Sequence, residues 1–158
     1  FVKSEKLMYL VDQWQNSDPI GTDARKRMDL NFNHPVKALI VDVNQTGNEY
    51  SDKIKLTTSG VEIAKLTQDQ MVMKAYWHNP HTTIQAVDAT TTFPTIPFAL
   101  DLCTNQPSGS LNFSRLENVQ LSCDERNLNG AAAESTVTAI NTNVLIIRNG
   151  MGGLEFSN

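Results

Sequence analysis

Turn-forming residues divide this chain into short apolar segments, and that division restricts its fold more than any other feature. Residues 28–32 alternate apolar with polar side chains, as half-buried strands do, and residues 36–43 are rich in β-branched side chains. The cluster 44–48 favours a turn because it is rich in Asn and contains Gly. About eight or nine such strands with almost no helix predict an all-β fold, an antiparallel β-sandwich. A jelly roll is the sandwich that best suits eight strands in a single domain of 158 residues.

Two segments have a helical interpretation. Residues 7–14 place apolar side chains at helical spacing, but residues 8–11 also fit a buried strand, and periodicity does not separate the two. Residues 67–74 favour a short helix because Gln, Met and Lys are good helix formers and Thr67 is an acceptable N-cap.

The second half of the chain contains the remaining predicted strands. Residues 98–102 and 119–122 are predicted strands, and residues 136–140 and 144–147 are predicted as two separate ones. The longest irregular region, 76–97, includes a predicted strand at 82–87, and a loop of this length is expected to be functional or held in an interface.

Charge and hydropathy argue against nucleic acid and membrane partners. The formal net charge of −4 gives no general attraction to nucleic acid, so we expect no direct nucleic acid binding. No apolar run approaches the roughly 18 residues that span a bilayer, so no membrane insertion is expected. The first residues lack the pattern of a signal peptide, and the start at Phe1 rather than Met indicates a truncated or partial chain.

The chain offers little for catalysis or for holding a cofactor. No acidic pair accompanies a plausible nucleophile, no Ser lies in a nucleophile elbow, and the His residues have no evident carboxylate partner. Cys103 and Cys123 do not make a disulfide framework, and neither they nor the His residues have the paired spacing of zinc ligands. We therefore expect no enzyme activity, no cofactor and no metal.

The run Pro107-Ser108-Gly109-Ser110-Leu111-Asn112-Phe113-Ser114-Arg115 is predicted to be a rigid corner. Pro107 fixes φ, Gly109 permits an unusual backbone conformation, and the hydroxyl and amide side chains can bond nearby main-chain groups. Phe113 is expected to anchor the corner in the core. The guanidinium of Arg115 suits carboxylates or exposed carbonyls, with an intrachain role expected ahead of an intersubunit one.

Two other local patterns have ordinary explanations. The Gly150-Met151-Gly152-Gly153 run precedes a terminal strand instead of a helix, so it predicts a turn and not a phosphate cradle. Asn44 and Asn112 each begin a glycosylation sequence, and Asn44 is the better candidate because Asn112 lies in the corner. Without a secretion signal we expect both to be unmodified.

Several segments together resemble one family. They are residues 9–15, Asn33-His34-Pro35-Val36-Lys37, Pro97-Phe98-Ala99-Leu100, the run 106–118, and 143–148 with 150–154. In this order they are similar to the C-terminal jelly roll of the double jelly-roll major capsid proteins of nucleocytoplasmic large DNA viruses. The resemblance makes residues 7–15 a strand. The segment 76–95 and Glu155 depart from the family pattern.

The resemblance implies a shell-building function. It implies homotrimers whose six jelly rolls form a pseudohexagonal capsomer of an icosahedral virion, assembled in the host cytoplasm, with minor capsid proteins as further partners. This chain would be the second jelly roll, residues 1–158, without the first, and the 76–97 loop would make trimer or outer-surface contacts. A minor or vertex capsid protein is the nearest alternative. A lectin-like sandwich using Tyr76 and Trp77 is another.

Overall fold

Two antiparallel sheets share one apolar core in the computed structural model, which describes residues 6–18, 27–42, 53–78, 94–104, 106–123 and 136–156. The elements are β1 (Leu7–Asn16), β2 (Arg27–Asp29), β3 (Pro35–Asp42), β4 (Ile54–Thr58), β5 (Val61–Leu66), α1 (Gln68–Trp77), β6 (Thr95–Pro97), β7 (Leu111–Asn112), a 3₁₀ turn (Phe113–Arg115), β8 (Val119–Cys123), β9 (Thr136–Arg148) and β10 (Met151–Leu154).

The order of strands within the sheets identifies the architecture. One sheet has the order β1-β9-β3-β6, with β7 also on β3 and β10 also on β9, and the other has the order β2-β8-β4-β5. Setting aside the two short strands β7 and β10, each sheet has four strands, and successive strands repeatedly cross from one sheet to the other. This interleaved order is that of an eight-stranded jelly roll. The predicted fold class is therefore confirmed, with two short strands added.

The core lies between the inner faces of the sheets. Leu39 and Val137 come from the first sheet, Leu56 and Leu121 come from the second, and all four are fully buried. β8 confirms the strand predicted at 119–122 and alternates strictly, since Val119, Leu121 and Cys123 are buried while the residues between them are partly exposed. Burial of these side chains supplies most of the free energy that holds the two sheets together.

Both ambiguous segments have a definite structure. Residues 7–16 form strand β1, which pairs along its whole length with β9, from Leu7 opposite Ile147 to Asn16 opposite Thr138. The expected helix is present as α1, and Thr67 is its N-cap in a reciprocal capping box with Gln70. Within the described ranges, no helix has the length and apolar character needed to cross a membrane.

Residues 98–102 are not a strand, so that expectation was wrong. The backbone N–H groups of Phe98 and Ala99 both donate to the carbonyl of Lys37, and that of Leu102 donates to the carbonyl of His78. These bonds draw the chain out of the sheet directly after β6. The apolar residues of this segment therefore do not indicate a buried strand, and Leu100 is 75% exposed.

Two boundaries also differ from the expectation. Residues 136–148 form one strand, β9, because the polar stretch that was expected to divide it contains Asn141 and Asn143, whose buried amides are hydrogen bonded. The last turn is Asn149-Gly150, with φ of 53° and 80°, while Gly152 and Gly153 lie inside β10. Paired positive φ values are those of the two-residue hairpin turn that suits twisted strands. The predicted strand 82–87, the turn 44–48 and Asn44 lie outside the described residues.

Candidate functional site

The chain enters β3 through a corner at Asn33 and His34, and the Pro107–Arg115 run supports it. His34 has φ of 68°. Its N–H donates to Oγ of Ser114 at 2.8 Å, and its carbonyl accepts from the N–H of Phe113 at 3.1 Å. On the other side, Gln15 bonds both backbone groups of Asn33, at 2.9 and 3.0 Å. The two sequence runs therefore meet, and each satisfies main-chain groups of the other.

Phe113 attaches this corner to the core, as expected. Its ring is buried and lies 5.9 Å from the ring of Phe32 in an edge-to-face arrangement and 6.2 Å from that of Phe98. The side chain of Asn112 accepts from the N–H of Ser114 and so begins the 3₁₀ turn. Three aromatic rings in such contact favour one fixed position for the corner.

Between β6 and β7 the chain makes a closed excursion, described at residues 98–104 and 106–110, which begins and ends at the same edge of β3. β6 pairs with β3 as far as Ala38 opposite Pro97, and β7 resumes that edge at Val36 opposite Leu111. The hydroxyl of Ser108 accepts from the N–H of Asp101 at 2.9 Å and donates to its carbonyl at 3.0 Å. The prediction of an ordered corner here agrees with these bonds.

A cluster of amide side chains lies beyond the core on the inner face of the first sheet. Asn143 is fully buried, donates to Oε1 of Gln13 at 2.9 Å and to the carbonyl of Phe156 at 2.9 Å, and accepts from the N–H groups of Val144 and Phe156. Asn141 bonds Gln15 and, more weakly, Gln13. Every donor and acceptor of the Asn143 amide is thus satisfied, which makes its burial favourable.

The end of the described chain closes over the β3 corner. The ring of Phe156 lies 6.0 Å from the imidazole of His34. The N–H of Glu155 also donates to the carbonyl of Val144. Residues 155–156 therefore connect two of the predicted structural elements, the corner at His34 and the hairpin at Gly150.

Lys37, the last residue of the Asn33–Lys37 run, does not belong to the amide cluster. Its ammonium lies 3.1 and 3.0 Å from the two carboxylate oxygens of Asp12. The Lys37 side chain is 3% exposed and that of Asp12 is 44% exposed. Arg115, in contrast, is exposed, and no hydrogen bond or ion pair of its side chain is present within the described part of the chain.

Sequence reasoning did not find Gln13, Gln15, Asn141 and Asn143. A signal was present, because amides at alternate positions of a strand lie on one face. The partners come from positions as much as 130 residues apart, so the pairing itself was not visible.

The described residues hold no arrangement suited to metal binding. No group of three or more His, Cys, Asp or Glu side chains comes together in the parts of the chain that the structure describes. Cys103 is exposed and Cys123 is buried, and they form no disulfide. Trp77 is 73% exposed at the end of α1, and Tyr76 is half-buried.

Several large apolar side chains are exposed instead. On β1, Met8, Leu10 and Trp14 occupy alternate positions and are 55%, 46% and 63% exposed, which places them on one face of the first sheet. We call these three side chains the β1 surface. Exposed apolar groups of this size commonly mark contacts with another macromolecule.

Comparison with known proteins agrees with a structural role. A family model described as large eukaryotic DNA virus major capsid protein matches residues 73–153. The major capsid protein of Pyramimonas orientalis virus is 34% identical over 178 residues, which cover 95% of this chain and 43% of that protein. The major capsid protein of Phaeocystis pouchetii virus is 47% identical over 64 residues, which cover 39% of this chain and 12% of that protein. The chain thus spans less than half the length of these relatives.

Solved structures show the same fold. The quasi-atomic model of the PBCV-1 virus capsid has a TM-score of 0.70 at 21% identity, covering 98% of this chain and 52% of that one. The Faustovirus major capsid protein has a TM-score of 0.53 at 12% identity, covering 90% and 34%. The jelly-roll order of the sheets agrees with these likenesses, and the family match extends over half of the residues. This chain therefore belongs to the large eukaryotic DNA virus major capsid protein family.

Proposed function

We propose that this chain is a jelly-roll module with which a major capsid protein builds the shell of a large DNA virus particle. The family match over residues 73–153 carries this proposal. The geometry supports it, because the motif residues hold backbone corners and strand ends in place and present no group arranged for catalysis. A rigid module of this kind suits repeated use in a symmetric assembly.

The assembly unit in this proposal is a homotrimer. Each subunit contributes two jelly rolls, of which this chain is the second, and the six jelly rolls of the trimer form a pseudohexagonal capsomer. The lengths of the relatives leave room for another domain of similar size, since this chain covers 43% of one and 52% of another. Contacts with minor capsid proteins and assembly in the host cytoplasm belong to the same proposal.

The β1 surface supports a role in contacts between jelly rolls. Met8, Leu10 and Trp14 would lose their exposure to water when a neighbouring jelly roll of the shell packs against them. Each contact in a closed symmetric shell is repeated many times, so a single contact needs only modest affinity. The 76–97 segment, expected from the sequence to be an irregular loop, is proposed to add trimer or outer-surface contacts. Its ends belong to α1 and β6, and residues 79–93 between them lie outside the described residues.

Measurement of the oligomeric state tests the proposal. We expect the complete subunit that contains this chain to give the mass of three subunits in light scattering and pseudohexagonal particles in electron microscopy. A folded protein that stays monomeric up to high concentration would contradict shell building by this route. Counting copies per virion separates a major from a minor capsid protein, and specific binding on a glycan array would favour the lectin-like alternative.

The loop is tested separately by hydrogen exchange. We expect amides of residues 76–97 to exchange more slowly in assembled capsomers than in the free subunit, because a contact excludes water from them. Equal exchange in the two states would remove the loop from the interface and leave the capsomer proposal intact.

A further inference from the structure

The apolar pattern of β1 does not determine its alignment with β9. Residues 7–11 are Leu-Met-Tyr-Leu-Val, and they lie opposite Asn143 and the apolar residues 144–147. A strand with apolar side chains on both faces can shift along its neighbour and still bury similar groups. The register must therefore be specified by other side chains.

The amide cluster specifies the register only in part. The two glutamines of β1 are two residues apart, as are Asn141 and Asn143 of β9, and in the observed register Gln13 lies opposite Asn141. A shift by two residues would place Gln13 opposite Asn143 and Gln15 opposite Asn141. Glutamine would then face asparagine at two positions instead of one, although the bonds of Gln15 to the backbone of Asn33 would be lost.

Asp12 is the charged residue of β1 and has no equivalent two positions away in either direction, since Leu10 and Trp14 flank it at that spacing. Its carboxylate reaches over the central strand β9 to Lys37 on β3. Lys37 itself lies at the register shift between β3 and β9, and its carbonyl accepts from Phe98 and Ala99. The backbone of Lys37 is thus fixed at this point, and its side chain is 3% exposed.

We infer that the Asp12–Lys37 ion pair is a register lock, which selects the observed alignment of β1 from alignments that differ by two residues. A two-residue shift moves Asp12 by about 7 Å along the strand and brings Trp14 toward Lys37. The buried ammonium would then lose its carboxylate, which is strongly unfavourable in a site of low exposure. The ion pair sets where the β1 surface lies along the sheet, because a two-residue shift keeps the same side chains on that face, and it does not depend on the proposed shell-building function.

Engineered cysteine pairs measure the register directly. In a Cys103→Ser background, Leu10→Cys with Val144→Cys tests the observed register, and Leu10→Cys with Ile146→Cys tests the shifted one. Directly opposite positions can form a disulfide, while diagonal positions are too far apart. With Asp12 and Lys37 present, we expect only the Leu10–Val144 pair to close on mild oxidation.

Neutral replacements then test the lock. In Lys37→Met the half-exposed Asp12 remains hydrated, so the protein should fold, and we expect both cysteine pairs to close. Asp12→Leu leaves the buried ammonium of Lys37 without its carboxylate partner and should raise the unfolding equilibrium constant by on the order of 100-fold. The double variant Asp12→Leu with Lys37→Met should regain most of the stability lost in Asp12→Leu. In this variant we still expect both engineered cysteine pairs to form disulfides.

The exposed pair Lys6–Glu155 provides the matched control, because its 4.0 Å contact joins residues next to β1 and β10 of the same sheet without burial. Lys6→Met with Glu155→Leu should leave the cross-linking selectivity unchanged. If Lys37→Met and the double replacement at Asp12 and Lys37 both fold and close only the Leu10–Val144 pair, the register is specified elsewhere and the inference is wrong.

Discussion

The carbonyl oxygen of Phe98 lies where a side chain at Gly109 would begin. A Cβ built on Gly109 would stand 2.8 Å from that oxygen and 3.4 Å from the Cα of Ala99, and the φ of Gly109 is 144°. The excursion between β6 and β7 therefore closes through direct contact between two stretches of backbone. Only a residue without a side chain permits that contact.

Gly109→Ala is expected to destabilise the protein by roughly 2–4 kcal/mol, because the methyl group meets a backbone atom and the φ value is strained for an L residue. Urea denaturation measures the change. Gly60→Ala is the matched control, since Gly60 also has a positive φ but open space around it, and it should cost about 1 kcal/mol. Equal losses in the two variants would show that steric contact at Gly109 is unimportant.

Asn143→Ala should cost roughly 2–4 kcal/mol, since it removes the group that bonds Gln13 and both backbone groups of Phe156. Hydrogen exchange should also show a faster-exchanging Phe156 amide, because the tail loses its attachment. Thr142→Ala, at the neighbouring partly exposed position, is expected to change stability by less than about 1 kcal/mol. A tail amide that exchanges as slowly as before would contradict the assigned role of Asn143.

Ser114→Ala tests the support of the β3 corner. The N–H of His34 loses its acceptor at 2.8 Å, and an unsatisfied buried donor costs roughly 1–3 kcal/mol. Ser110→Ala replaces an exposed hydroxyl in the same run and should stay within about 0.5 kcal/mol of the parent. Thermal or urea unfolding of the three proteins gives the comparison, and equal stability of all three would exclude this support.

Met8→Gln with Leu10→Gln tests the β1 surface in assembly. Both side chains are half exposed, so the subunit should keep its stability within about 1 kcal/mol while trimer formation weakens. Val61→Gln with Ile63→Gln alters exposed apolar residues of the other sheet and is the control. Sedimentation at a series of concentrations measures the trimer. Unchanged association of the Met8 and Leu10 variant would place the contact elsewhere.

Much of the sheet architecture could be predicted because strand patterns are local. The alternation in β8 and the capping residue Thr67 are visible in a few neighbouring residues. The prediction of a strand at 98–102 was wrong because the structure of this segment depends on contacts that are not local. Its backbone groups bond Lys37, Ser108 and His78, and local patterns do not reveal partners at such distances along the chain.

The candidate site was predicted in part. The run 107–115 indicated a fixed corner, and Ser108, Gly109 and Phe113 have the positions that this requires. The sequence did not show that Ser114 supports His34. Nor could it pair Asp12 with Lys37, because that contact depends on the alignment of three strands and not on any property of either residue alone.

The central position of β9 has a consequence for biosynthesis. Among the described residues, β1 has no strand partner except β9, and their side chains join positions 130 residues apart. β1 therefore leaves the ribosome long before β9 has been synthesised. Until then, its backbone groups have no partner strand and its apolar side chains stay exposed. Contacts so remote along the chain slow folding and prolong exposure to aggregation. We expect the nascent chain to need chaperone protection until β9 has been synthesised.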